Sequence, residues 1–139
     1  MSAMQTATDF FHACESLQGW EGCRQYVADG AGFTGQCEPL VDIDTVEGYC
    51  EWMAGLGKGP LEGCSYDLHS AAWDDESRSG VFFATFSGSH TGEGGPVPPT
   101  GQATASHYVY VVEVNADGKV SALTKIWNAP WALKELGWA

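Results

Sequence analysis

Two long strand-like segments in the second half of the chain limit what it can fold into. Residues 79–90 read SGVFFATFSGSH and residues 102–114 read QATASHYVYVVEV. An ordinary strand has about five or six residues, so we expect both segments to twist and curl. The second segment carries Tyr108 and Tyr110 on one face and Val109 and Val111 on the other. A sheet covered on one side would be polar on its other side, so this pattern predicts a homodimer through the outer face.

The first half of the chain shows the spacing of helices. Apolar residues recur at helical intervals in residues 8–19, 20–30 and 42–59, and the second of these segments is expected to end at Asp29-Gly30. Asp44 is the expected cap of the third helix, with Glu47 as its capping-box partner. A short strand is expected in residues 32–40, where Pro39 limits its length.

The remaining segments complete an α+β architecture. Residues 64–73 and 119–128 are expected strands, the latter preceded by the hairpin signal Asp117-Gly118. Residues 130–138 read PWALKELGW and predict a short closing helix that begins near Pro130 and ends at Gly137. We therefore expect one domain over residues 1–139, in which the N-terminal helices pack in a long, curved antiparallel sheet. Such a cone encloses a hydrophobic pocket for a small molecule.

Composition narrows the class of partner. Eighteen acidic residues face six basic ones, giving a net charge of −12, which repels nucleic acid and anionic membranes. We found no apolar run near the roughly 20 residues that span a bilayer, and no Lys or Arg among the first 20 residues. The five cysteines are odd in number and lack the spacing of zinc ligands, which favours reduced thiols in the cytoplasm. No metal and no redox cofactor are therefore expected.

Three local sequences carry a resemblance to a known superfamily. They are HTGEGGPVPPTGQ at 90–102, HYVYVVEVNADGKV at 107–120 and LTKIWNAPWALKELGW at 123–138. These three sequences, together with the order of helices and strands over nearly the full length, resemble those of the NTF2-like superfamily. The resemblance is to its SnoaL-like polyketide cyclase and ketosteroid isomerase branch. The resemblance implies an NTF2-like cone. It does not fix an activity, because this fold hosts enzymes and pure binding modules.

The Gly/Pro loop at 91–101 joins the two long strands. Its prolines favour an extended backbone and its glycines permit close approach to other chain segments. A rigid crossover that protects strand edges is the favoured interpretation, and a fixed lip of the pocket or a contact with a second subunit is the alternative. It is not a phosphate loop, since it lacks the Lys-Ser/Thr pair and leads into a strand.

The predicted catalytic residues are His69, His107 and Asn128. In SnoaL-like enzymes an Asp late in the sheet transfers protons, and the resemblance places Asn128 at that position, where an amide takes no proton at neutral pH. Capping of the last helix is the alternative role for Asn128. His69 and His107 are the candidate bases that could meet across a curved sheet, and each is also interpretable as an ordinary strand residue.

Aromatic residues form the predicted substrate-binding set: Trp52, Tyr108, Tyr110 and Trp127. Most rings are expected to pack in the core, but a buried tyrosine hydroxyl needs a partner and can donate to a ligand carbonyl or enolate. Two functions follow. The first is a cofactor-independent proton-transfer enzyme, such as a cyclase, isomerase or lyase, that acts on a small apolar carbonyl compound. The second is a non-catalytic ligand-binding or dimerisation module of the same fold.

Overall fold

The computed structural model of the protein describes residues 2–139. The helices are α1 (Ala3–Glu15), α2 (Gly19–Cys23), α3 (Val46–Lys58) and α4 (Ala129–Leu136). The strands are β1 (Val27–Gly35), β2 (Ser65–Asp74), β3 (Ser79–Ser89), β4 (Ala103–Val114) and β5 (Val120–Trp127), with short 3-10 helices at Arg24–Tyr26 and Glu38–Leu40. None of the helices in residues 2–139 combines the length and the apolar character needed to cross a bilayer.

The five strands form one sheet in the order β1-β5-β4-β3-β2. Strands β2 to β5 pair antiparallel, as expected from the hairpin signals. Strand β1 pairs parallel with β5, so the sheet is mixed rather than wholly antiparallel. The difference arises because β1 and β5 are far apart in sequence, and hairpin signals report only pairs of strands joined by a turn. The α+β fold class is confirmed.

Helices α1 and α3 cover the concave face and bury the apolar stripes expected from their spacing. Both begin at a hydroxyl cap: Ser2 Oγ accepts from Gln5 N at 3.0 Å, and Thr45 Oγ1 accepts from Gly48 N at 3.0 Å. The prediction of Asp44 as the cap of α3 is therefore wrong by one residue. Thr45 has the extended backbone that a cap requires, and its hydroxyl reaches the third amide of the helix.

The second helix is much shorter than expected. It ends at Cys23, and the chain enters β1 at Val27, so Asp29 and Gly30 lie inside a strand rather than at a helix end. A positive φ of 72° at Gly30 coincides with an interruption of the β1–β5 register between Val27 and Gly32. The prediction that Asp29-Gly30 ends the second helix is therefore wrong, because this pair marks an interruption within β1.

A bulge at His69 divides β2 into two halves. Leu68 pairs with Ala84 and Ser70 pairs with Phe83, so His69 has no partner of its own. An extra residue exchanges the two faces of the strand beyond it. Asp67 and His69 therefore do not share a face with Ala71, contrary to what strict alternation predicts. His69 points outward, where its Nε2 lies 2.7 Å from Thr85 Oγ1.

The Gly/Pro loop packs against the end of α3. Backbone hydrogen bonds between His90 and Gln102 and between Gly101 and His90 close its base, and Gly92 N donates to Pro60 O at 3.1 Å. A Cβ atom at Gly92 would overlap the carbonyl oxygen of Gly59. The expectation that glycines allow close approach is correct at this position.

We predict that Gly92→Ala destabilises the fold by about 1–3 kcal/mol, because the added methyl group meets backbone that cannot rotate away. Gly55→Ala is the matched control. It adds a methyl group inside α3 with no atom within 4 Å and replaces a poor helix former, so it should stabilise by up to about 1 kcal/mol. Urea denaturation measures both, and equal effects of the two substitutions would contradict the close approach.

Candidate functional site

A cavity of about 450 Å³ opens at one end of the cone. Its walls are mostly apolar and come from α3, the sheet, the Gly/Pro loop and the C-terminal segment; they include Trp52, Leu56, Phe86, Pro96, Trp127 and Trp138. The loop therefore forms one wall of the cavity while it also joins β3 to β4. The position of the loop fits the interpretation of a lip of the pocket, while protection of strand edges and a contact with a second subunit stay predictions. A cavity of this size and lining suits a small, mainly apolar ligand.

A crevice leads from this cavity towards Lys125. Trp52, Leu56, Phe86 and Trp127 line both spaces, and Lys125 forms the inner wall of the crevice. The crevice has only about 10 Å³ of free volume. That is close to the space of one water molecule. A ligand in the cavity would reach Lys125 through one water or after a rotation of Trp52 or Trp127.

The Lys125 ammonium group lies inside a cage of aromatic rings. Only 5% of the residue is exposed. The distances from Nζ to the ring centroids are 5.0 Å for Tyr108, 5.1 Å for Tyr49, 5.2 Å for Trp127, 5.8 Å for Trp52 and 6.0 Å for Tyr110. Ring faces attract a cation, and each contact of this kind is worth about 0.5–2 kcal/mol. These five ring contacts together offset part of the free-energy cost of removing the ammonium group from water.

A chain of hydrogen bonds runs inward from Lys125. Its Nζ donates to Tyr49 Oη at 2.8 Å, and the hydroxyls of Tyr49 and Tyr110 lie 2.9 Å apart. Tyr110 Oη in turn donates to Cys14 Sγ at 3.6 Å. Burial lowers the pKa of Lys125, and attraction to Glu15 opposes that shift. The network therefore places an amine whose pKa is lowered by burial next to two phenols that can pass a proton.

Glu15 is the second buried ionisable group. It lies at the end of α1 with 4% of its surface exposed, and neither carboxylate oxygen has a hydrogen-bond partner among residues 2–139. Burial raises the pKa of Glu15 to about 7, and the positive charge of Lys125 opposes the rise. The carboxyl is thus poised to titrate near neutral pH.

The structure brings together all four predicted substrate-binding residues. Tyr108 and Tyr110 are buried on the concave face, where they form part of the cage around Lys125. Trp52 and Trp127 line the cavity with their rings 6.3 Å apart. Ligand binding by these residues stays a prediction, but their positions fit it.

The predicted catalytic residues lie elsewhere. His69 and His107 are exposed on the outer face of the sheet, where they flank the Phe83 ring at 5.1 and 5.4 Å. They do approach each other across the sheet as expected, but on the face opposite the cavity. Asn128 is exposed at the cap position of α4, and its side chain makes no capping hydrogen bond. Their catalytic roles stay predictions, and the proposal below rests on other residues.

Sequence reasoning missed Glu15, Tyr49 and Lys125 as site residues. The signal for Lys125 was present, because it alternates with Leu123 and Trp127 on one face of β5. Likewise, Glu15 lies four residues after Phe11 and so shares its buried face of α1. A charged residue on an apolar face is the pattern that could have found both.

Three cysteines form the one group of potential metal ligands found in residues 2–139. The sulfurs of Cys14, Cys23 and Cys50 all lie within 4.8 Å of one another. The expectation of no metal rested on spacing along the chain. Spacing does not detect ligands that three separate helices bring together.

We predict that the stability of the protein falls as pH rises through the range set by Glu15. Its carboxyl titrates near 4.5 in the unfolded chain and near 7 in the fold, so the folded state holds the proton more tightly between those values. Unfolding free energy should therefore decline by about 3 kcal/mol from pH 4.5 to just above 7. Glu15→Gln should remove this slope in pH-dependent urea denaturation, whereas Glu62→Gln, at an exposed position, should retain it. Parallel curves for wild type and Glu15→Gln would contradict the assignment.

Comparison with known proteins identifies the fold. No family model matches the chain, and no curated protein matches it. Among solved structures, a protein from Jannaschia sp. CCS1 described as a SnoaL-like polyketide cyclase is 18% identical with a TM-score of 0.78, over 96% of this chain and 90% of that one.

Two further structures show the same likeness. AclR of Streptomyces galilaeus, described as a candidate hydroxylase, is 19% identical with a TM-score of 0.76, over 99% of this chain and 85% of that one. An NTF2-like protein of Burkholderia thailandensis E264 is 15% identical with a TM-score of 0.72, over 94% of each chain. At such identities the likeness concerns the fold. The chain has the NTF2-like fold, and SnoaL-like proteins are among its structural neighbours.

Proposed function

We propose that the protein is a proton-transfer enzyme that acts, without a bound cofactor, on a small apolar carbonyl compound held in the cone. The observation that carries the proposal is the position of Lys125, a buried amine at the end of the narrow crevice that leads inward from the apolar cavity. Structural neighbours described as a polyketide cyclase and a hydroxylase support a catalytic use of this fold. They do not specify a substrate.

The amine is suited to act as a general base. A lysine whose ammonium form is disfavoured by burial is neutral more often near pH 7, and a neutral amine can take a proton from the carbon next to a carbonyl. Tyr49 accepts the Lys125 hydrogen bond at 2.8 Å and so fixes the direction of the amine. Tyr110, 2.9 Å further on, extends the path along which the proton can move.

The cavity walls set the class of substrate. Trp52, Phe86 and Trp127 offer ring faces, and Leu56, Leu61 and Leu133 offer aliphatic surface. Burial of an apolar ligand surface there is favourable by roughly 25 cal/mol per Å². A polyketide-like or terpenoid-like carbonyl compound fits this lining better than a charged metabolite.

The test is deuterium uptake at the alpha carbon of small cyclic ketones in D₂O, followed by NMR. We expect the wild type to catalyse exchange and Lys125→Met to lose it by about 100-fold or more. Lys125→Met replaces a buried charge with an apolar side chain of similar length, so the fold should be retained. Lys134→Met, at an exposed position on α4, should exchange as fast as the wild type.

The two functions predicted from the sequence give different results in this test. A wild type that binds the ketones, as reported by tryptophan fluorescence, but exchanges no deuterium would be a ligand-binding module. A Lys125→Met variant that exchanges at the wild-type rate would place the base elsewhere.

The outer face of the sheet supports the proposed homodimer. Val81 and Phe83 are each 37% exposed, Ile126 is 61% exposed, and the outward side chains of Val109 and Val111 lie between them. These residues run across β3, β4 and β5 as an apolar patch that no helix within residues 2–139 covers. A second copy of the same sheet is the occupant we propose.

We expect light scattering at micromolar concentration to give about twice the 14.8 kDa mass of one chain. Phe83→Glu should produce a monomer, because like charges would then face each other at the centre of the interface. Trp131→Glu is the control, because it places the same charge at an exposed aromatic residue on α4, outside the patch. A monomeric wild type would refute the dimer.

A further inference from the structure

Three cysteine side chains meet where the N-terminal helices pack together. Cys14 lies near the end of α1, Cys23 is the last residue of α2, and Cys50 lies within α3. Each is at most 1% exposed, and none forms a disulfide. Neither the cavity nor the proposed proton transfer uses these sulfurs.

The distances among the sulfurs match three-fold coordination of a metal. All three lie within 4.8 Å of one another, and Cys14 Sγ is 3.9 Å from Cys50 Sγ. A metal at about 2.3 Å from each of three sulfurs in one plane would separate the sulfurs by about 4.0 Å. The helices therefore already hold the ligands near the required triangle. A disulfide would need two sulfurs at about 2.05 Å, which this packing does not provide.

The number and type of ligands select the metal. Sulfur is a soft donor that favours Cu(I) and zinc over hard cations. Structural zinc sites have four ligands. Within residues 2–139, no histidine, carboxylate or further cysteine joins the three sulfurs. We propose that Cys14, Cys23 and Cys50 form a three-sulfur site for a soft monovalent cation, with Cu(I) as the best fit.

One hydrogen bond at the site suits an anionic metal–thiolate group, which would lie close to the buried carboxyl of Glu15. Binding displaces thiol protons, so the occupied site carries negative charge. Tyr110 Oη already donates to Cys14 Sγ at 3.6 Å, which is the contact that stabilises a bound thiolate. Through Tyr49 the same chain of hydrogen bonds reaches the Lys125 ammonium, the nearest compensating cation in that network. The aromatic and aliphatic core around the sulfurs excludes water and with it oxidation.

The experiment is an anaerobic titration of the reduced full-length chain with Cu(I), in competition with a chromogenic Cu(I) chelator. We expect one Cu(I) per chain, and X-ray absorption should report three sulfur neighbours. The variants Cys14→Ser, Cys23→Ser and Cys50→Ser should each lower the affinity by more than about tenfold. Circular dichroism checks that each variant is folded.

The other two cysteines supply matched controls. Cys37 and Cys64 are half-buried and lie outside the cluster, so Cys37→Ser and Cys64→Ser should bind Cu(I) as the wild type does. Loss of binding in these controls, a stoichiometry other than one, or no competition with the chelator would overturn the proposal. Tighter binding of Zn(II) than of Cu(I) would also overturn it, because that result requires a fourth ligand. If a Ser variant does not fold, the sulfur count from absorption on the wild type decides alone.

Discussion

Burial of the Lys125 ammonium is the constraint on which the interior of this protein depends. An unpaired ammonium group in an apolar core costs several kcal/mol, so the surroundings must supply compensation. They do so with five aromatic faces and the hydroxyl of Tyr49. The rings come from α3, β4 and β5, so each of these elements must be in place before the charge is accommodated. The same side chain thus organises the core and is the proposed general base.

The opposite charge is handled differently. Glu15 has no hydrogen-bond partner in residues 2–139. Burial raises the pKa of its carboxyl to about 7, so the group stays protonated below that pH. The core thus contains a cation, Lys125, that only aromatic rings and one hydroxyl stabilise, and an acid, Glu15, without a hydrogen-bond partner in residues 2–139. Such a core is less stable than an apolar core of equal volume. Such a sacrifice of stability is typical of functional sites.

Much of the fold could be predicted from local pattern. The stripes of α1 and α3, the alternation of Tyr108 and Tyr110 in β4 and the Gly137 end of α4 are local features, and the structure retains them. The predictions that were wrong concern features set by residues far apart in the sequence. Strict alternation could not reveal the bulge at His69, and hairpin signals could not reveal the parallel pairing of β1 with β5. The aromatic half of the site was predicted because rings were counted as a group. The charged half of the site was not predicted, because Glu15 and Lys125 come close to each other only when α1 packs on the sheet.

The parallel pairing of β1 with β5 has a consequence for how the chain folds. Val27 pairs with Val120, so the sheet closes only after almost the whole sequence is present. Contacts between such distant residues form slowly, because the intervening chain must first lose its freedom. During synthesis α1, α2 and β1 leave the ribosome long before β5. Until β5 is made, their apolar faces stay exposed to other proteins. Tyr49 and Trp52, whose rings later surround Lys125, also stay exposed until β5 is made. Newly made chains of this protein should therefore depend on chaperones more than its modest size suggests.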